Sequence, residues 1–498
     1  MFSSSGGLKA MCRLRRRTWG VVACALLALA ATGCSSGSPA APVRLDAGPA
    51  TAAAVAPIRL SISGLPAAGL VTVQARTSDD QGRPWESAAV FRASTTGTLN
   101  LATAMPVSGS YHTADAAGLL WSLQPAFTTS PGTEFATSAA GFAVRLTVLT
   151  GGQVRATATL QRQLPVTAST QTVRQDGFAA TFYTPAAVRP GAPAVVVLGG
   201  YPGGEDMLGG YPGGGEEISV ALGLAMSGYP ALAVGYYDEP GLPKCQCSTP
   251  LEYFAHAVSW LRAQPAIRGR PVVLYGASDG AQAALLVASY LPHLADAVVA
   301  SSPTDIIHDA AGGTGPGWTF DGKPLGAGML IPVTRIRVPL LMGDGGQDAV
   351  WDSAGSARTI MSELERSPGH APATNLYYPD AGHYYFGMFP YFPFFTNASL
   401  GGSPQANALA TEQFWTRMIA FLNQLPAHES ATQALPRGHC VSQAIERKII
   451  HRRRQRTVQG ATTTTQECAR CHNHHIAIRR PSPSRPLPAA NAEFSTFK

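Results

Sequence analysis

Short apolar runs punctuate the second half of the chain at regular intervals. Ala194–Leu198, Ala231–Val234, Val272–Tyr275, Ala297–Ala300 and Val338–Met342 are too short for helices, and stretches of helical composition separate them. Runs that are apolar at every position belong to strands covered on both faces. Their alternation with helices predicts a mostly parallel sheet with helices on both sides. The first half has a different rhythm. Val71, Val73 and Ala75 alternate with Thr72, Gln74 and Arg76, and Val144, Leu146 and Val148 alternate with Arg145 and Thr147. Such half-buried strands, separated by Gly, Asp and Pro turns, predict an all-β, immunoglobulin-like sandwich of about 100 residues. The expected domains are therefore a sandwich over 57–165 and an α/β domain over 166–425. A final helix is expected at Thr411–Leu425, with Phe414, Met418 and Phe421 on one stripe.

The run Val272–Tyr275 leads into Gly276-Ala277-Ser278-Asp279-Gly280, and Ala281-Gln282-Ala283-Ala284-Leu285-Leu286 follows. A strand, a Gly-x-Ser-x-Gly turn and a helix make a nucleophile elbow, the feature that defines an α/β-hydrolase. The pentapeptide alone is an ordinary Gly/Ser turn; the flanking elements point to a catalytic Ser278. A serine needs a base, and the base needs an acid to orient it, in the chain order Ser, acid, His. His383 lies just past the apolar segment Leu376-Tyr377-Tyr378-Pro379, on a loop where a base is expected. His293 and His308 read as ordinary surface or satisfied histidines. The loop after Val338–Met342 offers Asp344, Asp348 and Asp352. Asp344 is nearest the strand and Asp348 one turn further, and spacing does not choose among the three.

Leu198-Gly199-Gly200-Tyr201-Pro202-Gly203-Gly204 follows the first strand of the α/β domain. In this fold that loop supplies one oxyanion-hole N–H and the residue after the nucleophile supplies the other. The expected donors are Asp279 and an N–H near Gly200 or Tyr201. A near-copy, Gly209-Gly210-Tyr211-Pro212-Gly213-Gly214, follows ten residues later. It reads as a short tandem duplication, and which copy lies over the site stays open.

The chain resembles the acyl-CoA thioesterase / bile acid-CoA:amino acid N-acyltransferase family over roughly residues 57–425. In the α/β domain the resemblance rests on Gly235-Tyr236-Tyr237, Gly241-Leu242-Pro243-Lys244, Leu251-Glu252-Tyr253-Phe254 and Ala257-Val258. It extends to the Ser278 elbow, to Gly346-Gln347-Asp348-Ala349-Val350-Trp351, and to Gly382-His383-Tyr384 with Pro390-Tyr391-Phe392-Pro393 beyond. In the leading domain it rests on Ile62-Ser63-Gly64-Leu65, Asp80-Gln81-Gly82, Phe91-Arg92-Ala93 and Gly118-Leu119-Leu120-Trp121-Ser122-Leu123. The resemblance implies a triad of Ser278, Asp348 and His383. It also implies hydrolysis of acyl thioesters, because in the family serine at the elbow goes with hydrolysis and cysteine with transfer to amino acids. No cofactor and no metal are implied.

The termini read differently. Lys9, Arg13, Arg15, Arg16 and Arg17 precede an apolar stretch from Trp19 to Ala30, and Ala31-Thr32-Gly33-Cys34 follows. This is a signal-peptide pattern over 1–33 with a relaxed lipoprotein cleavage box, Ala standing where Leu is usual. Cys34 would be lipidated and residues 34–56 would form a flexible tether, anchoring an exported enzyme to a membrane; plain secretion is the alternative. The tail 426–498 is basic and of low complexity, with twelve Lys/Arg against four Asp/Glu beyond Pro426. It reads as a disordered appendage. Cys468-Ala469-Arg470-Cys471-His472 matches a c-type haem attachment motif, but no apolar segment surrounds it, so neither haem nor zinc is expected. The net charge of +7 comes from the two ends. The body between them is mildly acidic, and no nucleic-acid partner is expected. Cys245 and Cys247 are too close in sequence for an easy mutual bridge.

The expected substrate is a small acyl thioester. Export places cytosolic acyl-CoA out of reach, so an exported carboxylesterase or lipase-like enzyme acting on envelope or environmental esters is the runner-up; an acyltransferase to amino acids is a further alternative, and a non-catalytic binding lipoprotein is the alternative from another class.

Overall fold

The computed structural model describes residues 42–426 except 130–132, 134, 138–139, 165–168, 176, 201–215, 384–389 and 394–399. The segment expected to be a leader, Cys34, and the basic tail with Cys468 and Cys471 lie outside the described residues. The N-terminal region is built mainly of β-strands, as its alternation foretells, with one short buried helix at Gly118–Trp121. Gln153–Gln163, Gly141–Thr150, Leu70–Ser78 and Pro84–Arg92 run side by side, mutually antiparallel, as the centre of a seven-stranded sheet. Val71, Val73 and Ala75 turn inward, with Val144, Leu146 and Val148 beside them. A small three-stranded sheet of Arg44–Asp46, Ser61–Ser63 and Leu99–Asn100 shares the same core through Ile62 and Leu99.

The tether expected to run to residue 56 ends earlier. Arg44–Asp46 pairs with Ser61–Ser63, and Thr51–Ala53 runs parallel to Gln161–Gln163. The Arg162 guanidinium donates to the carbonyls of Ala54 and Ala56, both at 2.6 Å. Small residues look like linker, but an edge strand held by backbone bonds needs no large side chains.

The α/β region is built on eight strands. In chain order they are β1 (Ser169–Gln175), β2 (Phe178–Thr184), β3 (Ala194–Leu198), β4 (Ala231–Gly235), β5 (Val272–Ala277), β6 (Ala297–Ser301), β7 (Leu340–Gly345) and β8 (Ala373–Tyr378). Their spatial order is 1-2-4-3-5-6-7-8, with β2 antiparallel to its neighbours and β3 to β8 parallel. Helices α1 (Glu216–Met226), α2 (Leu251–Ala263), α3 (Asp279–Tyr290), α4 (Ser353–Glu365) and α5 (Pro404–Gln424) cover it. This is the α/β-hydrolase architecture. The two sheet faces lie in different cores: Val196, Leu274 and Val298 pack with α2 and α3, whereas Val195, Val197 and Val273 join a core continuous with the sandwich.

Two boundaries differ from the sequence reading. β7 begins at Leu340 and carries on through Gly343, Asp344 and Gly345. These glycines are strand residues because Phe414 covers Gly343 and the Ala381 and Gly382 carbonyls press on Gly345. α5 begins at Pro404, seven residues before the expected start, because Ser403 caps it by accepting the Ala406 N–H at 3.2 Å and Pro suits the first turn. The cysteine expectation is also corrected. Cys245 and Cys247 form a disulfide, with Cα atoms 5.2 Å apart. The chain folds sharply between them, the Cys247 N–H reaching the Cys245 carbonyl at 2.8 Å, and spacing alone could not show that turn.

Candidate active site

The parallel sheet sends the loops after β3, β5, β6, β7 and β8 to one edge, and the candidate residues meet there. β5 ends at Ala277 and α3 starts at Asp279, leaving only Ser278 for the turn. Ser278 takes φ 55°, a strained conformation for a residue with a side chain. The flanking glycines are obligatory. A Cβ on Gly276 would collide with the Gly280 carbonyl, and one on Gly280 would collide with the Leu198 carbonyl. The elbow is therefore wedged between β3 and α3, and the Ser278 N–H donates to the Ser301 carbonyl at 3.0 Å.

His383 and Asp348 are brought to this turn. His383 Nε2 lies 2.9 Å from Ser278 Oγ, and His383 Nδ1 lies 2.8 Å from Asp348 Oδ2. The His383 and Asp348 side chains are 6% and 1% exposed, so water competes little for either bond. The loop after β8 is pinned by the His383 N–H, which donates to the Leu400 carbonyl at 2.7 Å. Asp348 Oδ1 accepts the Val350 and Trp351 N–H groups at 2.9 and 3.2 Å. Burial pushes the Asp348 carboxyl up, but its bonds to His383 and Val350 outweigh burial and hold it below the ordinary range. Trp351 packs edge-on against the His383 ring, 4.8 Å between centroids.

The three aspartates that spacing left equal separate in space. Asp344 sits inside β7 and is 1% exposed; burial lifts its carboxyl to about 6. Asp352 caps α4, accepting the Gly355 N–H at 2.7 Å. Only Asp348 reaches the imidazole.

Of the oxyanion-hole candidates, the Asp279 N–H heads α3, where the first N–H groups of a helix lack intrahelical partners. Gly200 follows β3 directly. Tyr236 and Tyr237 fix this stretch by donating their hydroxyls to the Gly199 and Gly200 carbonyls at 2.6 and 3.2 Å. The first glycine-rich copy thus starts against the elbow; Tyr201 and the second copy lie outside the described residues.

His308 was read as an ordinary histidine, and the structure puts it beside the site. Its ring packs edge-on against Trp351, 5.0 Å between centroids, and burial pushes its imidazole below the ordinary range. The available signal was topological: His308 lies on the loop after β6, and every such loop in a parallel sheet opens onto the same edge.

Fold and site together define an α/β-hydrolase carrying a Ser–His–Asp hydrogen-bonded chain at its elbow. Residues 56–174 match the acyl-CoA thioester hydrolase/BAAT N-terminal region, and residues 249–312 and 323–427 match the BAAT/acyl-CoA thioester hydrolase C-terminal region. Acyl-coenzyme A thioesterase 5 of Mus musculus is 30% identical over 409 residues, covering 74% of this chain and 93% of that protein. Acyl-coenzyme A thioesterase 1 of Homo sapiens is 29% identical, covering 75% and 94%. The Rattus norvegicus protein of the same name is 28% identical, covering 74% and 93%. The chain belongs to the acyl-CoA thioester hydrolase/BAAT family.

Proposed function

We propose that this protein is a serine-dependent acyl thioester hydrolase that works through an acyl-enzyme on Ser278. The observation that carries the reading is the unbroken hydrogen-bonded chain Ser278–His383–Asp348 at the sheet edge. Ser278 Oγ attacks the thioester carbonyl while His383 Nε2 takes its proton. Asp348 holds the Nδ1–H tautomer and stabilises the imidazolium that forms. The oxyanion of the tetrahedral intermediate is met by the Asp279 N–H and by an N–H near Gly200. Collapse expels the thiolate, which His383 protonates. Water then enters, gives its proton to His383 and attacks the acyl carbonyl, and release of the acid restores Ser278. Serine at the elbow favours water over an amino acid as acceptor.

The leader pattern favours one further reading of the substrate. If Cys34 anchors the protein outside the cell, its esters or thioesters are those of the envelope or surroundings. A fluorophosphonate probe tests the chemistry. It is expected to label the native protein and not Ser278→Ala, and palmitoyl-CoA is expected to protect. Protection by p-nitrophenyl esters alone would replace the thioesterase reading with an exported esterase, and absence of labelling in the folded protein would sink the catalytic reading.

A further inference from the structure

Two hydrogen bonds hold the nitrogens of His383. They do not by themselves stop the ring from tipping sideways, which would turn the Nε2 lone pair off the Ser278 hydroxyl and weaken that bond. Trp351 stands where it blocks the tilt. It lies edge-on to the imidazole, 4.8 Å between centroids and 87° between planes, within the range of a well-made aromatic pair. Its place is set by the acid loop: its N–H donates to Asp348 Oδ1 at 3.2 Å, and its carbonyl accepts the Ser353 N–H at 2.8 Å. The indole N–H is buried and meets no acceptor among the described residues, so Trp351 meets the histidine through its ring alone.

The same indole meets a second ring. His308 packs against it at 5.0 Å and 69°. His308 is anchored in turn, its N–H donating to Gln282 Oε1 at 2.9 Å and its Nε2 lying 3.1 Å from the Thr304 hydroxyl. Gln282 is fully buried on α3. Its Oε1 also accepts the Trp318 indole N–H at 2.7 Å, and its backbone N–H donates to the Ser278 carbonyl at 3.1 Å. The contacts therefore close on themselves, from Ser278 through Gln282, His308 and Trp351 to His383, and back to Ser278 Oγ at 2.9 Å. Burial holds the His308 imidazole below its ordinary range. At neutral pH it is an uncharged ring, and it puts no second positive charge near the imidazolium that forms on His383.

Resting on the acyl-enzyme reading above, we infer that Trp351 is a positioning residue for the general base and that His308 acts through it as a backstop. Together they set the angle at which His383 Nε2 meets the serine hydroxyl. They therefore act on kcat and not on the affinity for substrate.

The test measures kcat and KM for palmitoyl-CoA and for a p-nitrophenyl ester on the full-length protein, with the rate of fluorophosphonate labelling as a second readout of the Ser278–His383 pair. Trp351→Leu is expected to lower kcat and the labelling rate together by about tenfold to 100-fold, the cost of misplacing a reacting group by up to about 1 Å, with KM within about twofold of native. Trp351→Phe keeps a ring and is expected to recover most of that loss. His308→Ala is expected to lose about two- to tenfold in kcat, the worth of one aromatic pair. It should cost nothing further in the Trp351→Leu background, because its effect passes through the indole. Native kcat in Trp351→Leu, a KM effect as large as the kcat effect, no recovery in Trp351→Phe, or full additivity of the two substitutions overturns the proposal. If Trp351→Leu fails to fold, native kcat in His308→Ala overturns it, and a kcat loss there at unchanged KM upholds it. Turnover of the ester without turnover of palmitoyl-CoA defeats the thioesterase reading alone, and the positioning role is then judged on the ester. A folded native protein that neither turns over substrate nor takes the label defeats both.

Discussion

Replacing Asp348 by Asn changes one atom and leaves the volume alone, yet the structure dictates a large loss. Asp348 Oδ1 accepts two backbone N–H groups, from Val350 and Trp351. An Asn side chain must keep its carbonyl on that side, since an NH2 group facing two donors would cost about 1–3 kcal/mol for each bond left unmade. The amide NH2 then faces His383 Nδ1, where the carboxylate Oδ2 now sits at 2.8 Å. Nδ1 can only accept from it, so the ring proton moves to Nε2 and points at Ser278 Oγ. In that tautomer the imidazole cannot take the serine proton. The same substitution in serine proteases lowers kcat by about 10⁴-fold, which is about 5 kcal/mol of transition-state stabilisation. Thiol release from palmitoyl-CoA, with the fluorophosphonate labelling rate as a second readout, measures the effect at pH 7–8. Melting temperature should move little, because the two backbone bonds survive. An Asp348→Asn protein within tenfold of native activity would refute the assignment of this aspartate and the tautomer argument with it.

Two further outcomes follow from the seam between the domains. Phe392 is 3% exposed and packs edge-to-face on Phe135 and Phe142, at ring distances of 5.3 and 5.4 Å; Phe392→Ala should cost about 3–5 kcal/mol in chemical denaturation, and a cost below about 1 kcal/mol would show that the seam is not a packed core. Burial, reinforced by Asp115, lifts the Glu412 carboxyl to about 7 from 4.5; its contribution to stability is full below pH 4.5 and is lost as pH rises through about 7. Glu412→Gln should therefore gain on the native protein across that window, by about 1–2 kcal/mol once partial exposure is allowed for, and a melting-temperature difference flat from pH 4.5 to 8 would contradict this.

Much of the site was legible because glycine punctuates it. The positions of Ser278 and His383 follow from strand ends marked by Gly276, Gly280 and Gly382. Five of the eight strands, β3 to β7, were legible because parallel strands covered on both faces are apolar throughout. The acid was not legible from spacing, since Asp344, Asp348 and Asp352 differ only in where a strand ends and a helix is capped. β7 hides its last residues as Gly343-Asp344-Gly345, a sequence that reads as a turn until Phe414 is seen lying against it. The Thr51–Ala53 strand escaped notice for a similar reason: its bonds are all backbone, and its Thr-Ala-Ala composition carries no trace of them. His308 was passed over because no local pattern distinguishes it, only its place after β6.

Phe392 also has a hereditary consequence. It follows the histidine of the site by nine positions in the chain, yet its ring is seated among aromatics of the other domain. A gene shuffled at the domain junction would bring a foreign sandwich to this phenylalanine and leave its ring without a socket. An exchange of either half therefore has to keep the rings at Phe135, Phe142 and Phe392 complementary. Recombination that respects the junction but ignores these three positions should yield chains of lowered stability.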